Sequence, residues 1–246
     1  SEGMHGKAVA TATGAKPVLV TTDTYGAVTD GSTRSHSTSN LLLALALNTT
    51  SNLTDDKSSS NRTMTNNGTV TATTDATAYY GGVALFNSNS QNLTTSSSNF
   101  DFGGHSNPTN FTVEMWFYTT QNKDYSALYD TRTSASDSNG YTITIDNDGE
   151  IYMYGDGGFR CRSGTGAIKE NQWYHVALQR NTNTFELFLD GVLIDSVSHN
   201  MHPSRNGQYI GNNGWNNGDP FKGYIQDVRV YATRKYTGDF IVTRPK

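Results

Sequence analysis

The sequence predicts an all-β protein, a sandwich of two antiparallel sheets preceded by an extended N-terminal arm. Three observations carry that expectation. Hydrophobic residues make up 34% and charged ones 16% of the 246 residues, while Gly (24), Tyr (14) and an excess of Ser, Thr and Asn fill the balance, a composition that favours strands and turns over helices. From Leu41 onward, short runs alternate apolar and polar side chains with period two and are broken at frequent intervals by Gly, Asn and Asp. No segment keeps a 3.6-residue period over three turns, so almost no helix is expected. About a dozen strands in roughly 200 residues require two stacked layers, because one open sheet of that size would leave an apolar face wet.

Residues 1–40 mix Gly, Ala, Thr and Ser with few large apolar groups, too little apolar surface to offset their ordering entropy. They are expected to form an extended arm or linker, with residues 41–246 as the folded domain. Within the arm, Lys16 to Thr22 is β-prone and could add to a sheet edge, its own or a neighbouring subunit's, which offers a route to a homo-oligomer. Leu41 to Leu47 is the longest apolar run. It is far short of the roughly 18 to 20 residues that cross a bilayer and reads as a strand, so no membrane span is expected.

Phe111 to Tyr118 sets Phe111, Val113, Met115 and Phe117 against Thr112, Glu114, Trp116 and Tyr118, the alternation of a strand between two layers. Tyr141 to Ile145, the turn Asp146 to Gly149, and Glu150 to Tyr154 read as a hairpin. In the strand from Gln172 to Arg180, Tyr174, Val176, Leu178 and Arg180 oppose Trp173, His175, Ala177 and Gln179. Thr184 to Leu189 and Val192 to Val197 flank Asp190 and Gly191, residues that tolerate the positive φ angles of a two-residue primed turn. Lys222 to Ala232 supplies a late strand, with Tyr224, Gln226, Val228 and Val230 expected on one face.

Charge and cysteine usage exclude some classes. Eighteen Lys and Arg against 22 Asp and Glu give a net charge of −4 with no basic run, so nucleic acid is not an expected partner. The single Cys161 has no internal disulfide partner and is expected to be buried or unreactive. The opening residues hold no basic stretch followed by an apolar one, so no signal peptide is expected within them. Asn-x-Ser/Thr occurs at Asn48, Asn52, Asn61, Asn67, Asn92 and Asn110, which chance accounts for in a chain of this composition.

Phe111–Tyr118, Trp173–Arg180, Leu187–Val192 and Gly223–Val230 together resemble the laminin-G-like members of the concanavalin A-like lectin/glucanase superfamily, in order and spacing, over residues 41–240. Ala78–Phe86 and Phe100–Gly103 fit the same pattern. The resemblance implies a jelly-roll sandwich of two curved antiparallel sheets, a fold that hosts lectins, hydrolases, adhesion modules and virion proteins. The closing stretch Gly223–Phe240, with the lead-in Asp30–Arg34, is similar to laminin-G-like domains repeated in structural proteins of marine bacteriophages. That similarity implies a non-catalytic component of a virion surface (fibre, tail or capsid decoration), with host glycans or neighbouring virion subunits as partners. A secreted or cell-surface lectin-like module and a polysaccharide-cleaving glycosidase are the alternatives.

A glycosidase of this fold would need two carboxylates on one sheet face, about 5 to 9.5 Å apart. The same-face neighbours of Glu114, Glu186 and Asp227 supply no second acid within their strands, so catalysis is not expected. His175 reads as a packed, hydrogen-bonded residue, and His199 and His202 offer too few ligands for zinc. Asp146 to Glu150 reads as a hairpin turn, not a calcium loop. No cofactor is expected. Calcium stays open, with Asp55, Asp56, Asp156 and Asp219 as oxygen donors, and with Asn87 and Asn89 where relatives often carry an acid. The candidate ligand loop is Gly211 to Pro220. There Trp215 could stack on a sugar ring while Asn213, Asn216 and Asp219 bond hydroxyls. Tyr154, Asp156 and Arg160 form a second candidate loop of the same kind. The alternative at the first loop is that Trp215 packs on the sandwich edge and the asparagines make turns.

Overall fold

Fifteen strands build two antiparallel sheets in a computed structural model that describes residues 40–74, 82–104 and 106–242. The expected arm, its Lys16–Thr22 segment and the Asp30–Arg34 lead-in lie outside the described residues, apart from Asn40. In chain order the strands are β1 (Leu41–Leu45), β2 (Thr65–Asn67), β3 (Thr71–Thr73), β4 (Val83–Phe86), β5 (Asn92–Thr95), β6 (Phe111–Thr119), β7 (Ser126–Asp130) and β8 (Tyr141–Ile145). They continue as β9 (Ile151–Gly155), β10 (Gly158–Arg162), β11 (Trp173–Asn181), β12 (Thr184–Leu189), β13 (Val192–Ser198), β14 (Gln208–Ile210) and β15 (Gly223–Tyr231). Sheet one runs β13-β12-β11-β6-β15-β4-β3 with β1 also on β15, and sheet two runs β10-β9-β8-β7-β14-β5-β2. One 3-10 turn, Thr50–Asn52, is the only helical element among the described residues.

The core lies between the sheets and follows the period-two pattern. Phe111, Val113, Met115 and Phe117 of β6 and Tyr174, Val176 and Leu178 of β11 enter it, as do Tyr141, Ile143 and Ile145 of β8 from the opposite layer. Arg180 ends the inward row of β11, and its guanidinium donates to the carbonyls of Phe102, Gly103 and Met201, which satisfies a charge that burial would otherwise penalise heavily. The Asp190–Gly191 turn has φ of 50° and 82°, the primed geometry expected of it. Cys161 is buried and burial pushes its thiol up to about 12.

Three expectations are corrected. The late strand does not keep one phase: the register shifts between Gln226 and Arg229, and Asp227 sits at φ 55° as the extra residue of a bulge. Tyr224 and Gln226 therefore face outward, whereas Val228 and Val230 join Ile225 in the core. The first strand stops at Leu45, and Leu47, at φ 55°, turns the chain. Residues 154–160 are not a loop: Asp156 and Gly157, at φ 49° and 69°, make a tight turn, and the chain returns as β10.

The outer face of sheet one is covered by the chain itself. After β15, residues 233–242 cross that face, where Arg234 pairs with Glu186, and Lys235 and the Tyr236 hydroxyl both donate to Glu114. Gln179 exchanges hydrogen bonds with the Tyr236 backbone, and the Tyr236 and Phe240 rings stack at 3.4 Å. Glu114, Glu186 and His175 are buried beneath this strap.

Candidate functional site

With the strap lying over the outer face of sheet one, the outer face of sheet two carries a cavity of its own. On β8 the residues between the core-facing Tyr141, Ile143 and Ile145 are Thr142 and Thr144, and alternation points both outward into a pocket of about 330 Å³. Tyr154 of β9 lies opposite Thr142 in register and forms another wall. Tyr125, just before β7, Arg132, just after it, and Trp215 and Asp219 complete its lining, with Arg132 and Asp219 adjacent.

The loop carrying Trp215 is held by its own amides. Asn212 accepts from the Asn213 and Asp219 N–H groups and donates to the Asn89 carbonyl. Asn213 accepts from the Asn216 N–H, and Asn216 from the Gly218 N–H. Asn92 of β5 donates to Asn217, and the Ala127 N–H of β7 bonds the Asp219 carbonyl, fastening the loop to the sheet. Gly214 rests on the Tyr209 ring so closely that a Cβ would lie 2.1 Å from ring carbons. These bonds pre-form the loop, which keeps the ordering cost of ligand capture low.

One cation and two carboxylates set the electrostatics. Arg132 Nε donates to both oxygens of Asp130 at 3.3 and 3.0 Å, and its Nη2 donates to Asp130 at 2.6 Å and to Asp219 at 2.9 Å. Burial pushes the Asp130 carboxyl up to about 6, against the bonds from Arg132. Burial pulls Arg132 down, and its bonds to Asp130 and Asp219 more than offset that, leaving it raised. Asp130 is fully buried beneath Arg132, so Asp219 is the carboxylate that lines the pocket. The Thr142 hydroxyl donates to the Tyr129 carbonyl, whereas the buried Thr144 hydroxyl has no partner among the described residues.

Aromatic rings surround these polar groups. Tyr125 is 51%, Phe159 42% and Trp215 37% exposed, and these are the aromatic members of the exposed large hydrophobics among the described residues. Phe159 of β10 meets Tyr154 edge-on at 5.5 Å and Tyr152 at 4.9 Å, with the Arg162 guanidinium 4.4 Å from its centroid. Tyr125, Trp215, Tyr154 and Phe159 thus form a partly exposed aromatic surface on one face, with polar groups set between them.

The structure brings Trp215, Asp219 and Tyr154 together from the two candidate loops. It places the others elsewhere. Asn213 is fully buried and Asn216 serves the turn. Asp156 pairs with His199 at 2.9 Å, and Arg160 donates to the Asp156 carbonyl, both at the β9–β10 turn outside the pocket. Sequence reading missed Tyr125, Arg132, Thr142, Thr144 and Phe159. The outward threonines were readable from the alternation between Tyr141 and Ile145, but nothing local marks Arg132 or Tyr125. The oxygen donors considered for calcium are dispersed. Asp55 pairs with Lys57, and Asp56 accepts from the Ala44, Ser58 and Arg62 N–H groups. No group of three or more His, Cys, Asp or Glu side chains converges among the described residues.

A two-layer antiparallel sandwich of this topology, with an aromatic pocket on one outer face, defines a lectin-like class of domain. Residues 87–235 match the Laminin_G_3 family, described as concanavalin A-like lectin/glucanases superfamily, and the chain belongs to that superfamily. No curated protein matches the chain. Among solved structures it is similar to domain 4 of AbnA, an extracellular arabinanase from Geobacillus stearothermophilus, in complex with arabinotriose. That similarity has 18% identity and a TM-score of 0.56, and covers 79% of this chain and 93% of that one. It is also similar to the binding domain of paraclostridial mosquitocidal protein 1 (15% identity, TM-score 0.61, 80% and 50% covered). The botulinum neurotoxin serotype D binding domain is a third (14% identity, TM-score 0.58, 81% and 50% covered). The chain spans about half the length of the two toxin binding domains, and at these identities the likeness is one of fold.

Proposed function

We propose that this chain is a non-catalytic carbohydrate-binding domain whose ligand lies on the outer face of sheet two. The observation that carries the reading is the pocket itself: Trp215, Tyr154 and Tyr125 offer ring faces and edges for the C–H surface of a sugar. Asp219 and Arg132 stand among them to bond sugar hydroxyls. Superfamily membership supports it, as does a structural neighbour solved in complex with arabinotriose. Against catalysis stands the geometry of the acids. Asp219 is the one carboxylate lining this pocket among the described residues, Asp130 is sealed under Arg132, and Glu114 and Glu186 lie beneath the C-terminal strap. A glycan array with the wild-type chain and Trp215→Ala is the test. Binding lost in a variant that melts like the wild type supports the site, and binding that persists removes it.

The biological setting is part of the proposal. The similarity of Gly223–Phe240 to laminin-G-like repeats of marine phage structural proteins supports display on a virion surface, where the site would hold host glycans. Neighbouring capsid or tail genes would support that setting, and a bacterial secretion or polysaccharide-utilisation neighbourhood would overturn it.

A further inference from the structure

A binding face for acidic sugars needs a cation with charge to spare, and this face has none within its pocket. Arg132 is the only cation lining it among the described residues. Both of its bonded nitrogens are committed, Nε to Asp130 and Nη2 to Asp130 and Asp219, so the pocket holds one positive charge against two carboxylates. The arginines around it are likewise paired. Arg162 is paired with Glu150, Arg205 is paired in bidentate fashion with Asp137, and Arg160 lies 3.8 Å from Asp156. Lys123, two residues before Tyr125, does not line the pocket; burial lowers the Lys222 ammonium, and the nearby charge of Lys123 lowers it further. The wider field is acidic too: burial raises the Tyr152 phenol on this face, and the charges of Asp146, Glu150 and Asp219 raise it further. A carboxylate or sulfate brought into this pocket would be desolvated against Asp219 with no cation to receive it, which is costly in a partly enclosed site.

We propose that the glycan bound on sheet two is uncharged, and that Asp219, by occupying Nη2 of Arg132, keeps acidic sugars out. This rests on the carbohydrate reading above and specifies its ligand. A neutral pyranose or furanose fits the same groups without penalty. Its hydroxyls accept from the exposed side of the Arg132–Asp219 pair, donate to the Asp219 carboxylate, and cover the aromatic rings with C–H surface. Excluding the wrong ligand by an unpaired like charge is a recurrent route to specificity.

The test uses the whole chain and an array of neutral oligosaccharides printed beside uronic-acid, sialylated and sulfated counterparts of matched length. The expected wild-type result is a preference for the neutral member of each pair on the order of tenfold, the scale of one partly screened charge at a protein surface. Asp219→Asn, which keeps the shape and removes one negative charge, should raise the acidic-to-neutral ratio by a similar factor. An acidic glycan bound more tightly than its neutral partner by the wild type would overturn the inference and leave the carbohydrate reading standing. An unchanged ratio in Asp219→Asn would overturn the role of that residue. The absence of binding to either series would overturn the carbohydrate reading, and this inference with it. The wild-type comparison needs no variant, so the inference stays falsifiable if Asp219→Asn fails to fold.

Discussion

Replacing Lys235 by methionine should expose how the sealed face of sheet one is held. Glu114 is 4% exposed. Burial alone would raise its carboxyl, yet the charges of Lys235 and His175 and the bonds from Lys235 and Tyr236 hold it at about 2. His175 lies 3.7 Å away, but burial holds that imidazole at about 4, so it is neutral at pH 7 and Lys235 is the cation there. A folded carboxyl at about 2 against an ordinary 4.5 corresponds to about 3 kcal/mol. The sign follows from the lowered pKa: this stability is fully present above pH 4.5 and is lost as the pH falls through 4.5 toward 2. Methionine keeps the length and apolar stem of Lys235 and deletes the charge, leaving a buried carboxylate without its cation. The expected loss is about 3 to 5 kcal/mol, or a melting temperature lower by roughly 6 to 20 °C for a domain of this size. Calorimetry at pH 7 and at pH 3 measures it, and the gap between wild type and variant should narrow at the lower pH as Glu114 protonates. The double variant Glu114→Gln with Lys235→Met should recover most of the loss. A cost under about 1 kcal/mol, or a gap independent of pH, would show that the pair is solvated and that the strap is held by its aromatic stacking alone.

Other consequences are open to measurement. Gly214→Ala puts a methyl 2.1 Å from the Tyr209 ring, so it should cost about 1 to 3 kcal/mol and displace Trp215; a melting temperature and glycan titration equal to wild type would refute the packing. His175, buried beside Trp116 with its imidazole at about 4 against an ordinary 6.5, costs stability as the pH falls from 6.5 to 4, by about 3 kcal/mol. Urea unfolding at pH 7 and pH 4.5 should therefore show a shallower pH dependence for His175→Gln, and an unchanged slope would contradict it. Asp130, raised to about 6 from an ordinary 3.8, acts in the opposite sense and gains stability over the same fall, so only the difference between variant and wild type isolates the histidine. Arg180→Met takes the guanidinium donor from the carbonyls of Gly103 and Met201, and one of two donors from that of Phe102, which keeps the Thr109 N–H. It should lower stability by about 3 to 5 kcal/mol, and faster hydrogen exchange around residues 102–104 and 201 would locate the loss.

The layered fold was legible because most strands announce themselves locally. Phe111 to Phe117 and Tyr174 to Leu178 enter the core with the parity that their alternation requires, and Asp190–Gly191 makes the turn that its residue types favour. The same dipeptide signal was present at Asp156–Gly157, yet the density of glycine there reads as loop, and the returning strand β10 was missed with Phe159 on it. The phase of β15 was hidden for a different reason. A single residue at positive φ, Asp227, reverses the parity after it, and aspartate accepts that conformation without leaving a mark in the pattern of apolar residues. At the pocket, residue type picked out Trp215, Asp219 and Tyr154, but it could not separate a pocket-lining asparagine from one that builds the turn. Arg132 and Tyr125 reach the pocket through the pairing of β7 with β14 and β8, a non-local arrangement with no local period.

The two outer faces handle buried charge in opposite ways, and that difference points to where a ligand can sit. On sheet one, Glu114 and Glu186 are answered by Lys235 and Arg234 from the chain's own C-terminal segment, so any external ligand would have to displace groups whose removal strands buried carboxylates. On sheet two, Arg132 covers and bonds the buried Asp130, and its Nη2 also donates to Asp219 at the pocket wall. Displacing a ligand there strands nothing, since both carboxylates keep their bonds to Arg132. A face whose charged groups are bonded to one another, with aromatic rings left exposed around them, gains from an uncharged partner that brings hydroxyls and C–H surface. It gains little from one that brings a charge, and this asymmetry links the sealed strap, the open pocket and the proposed neutrality of the glycan.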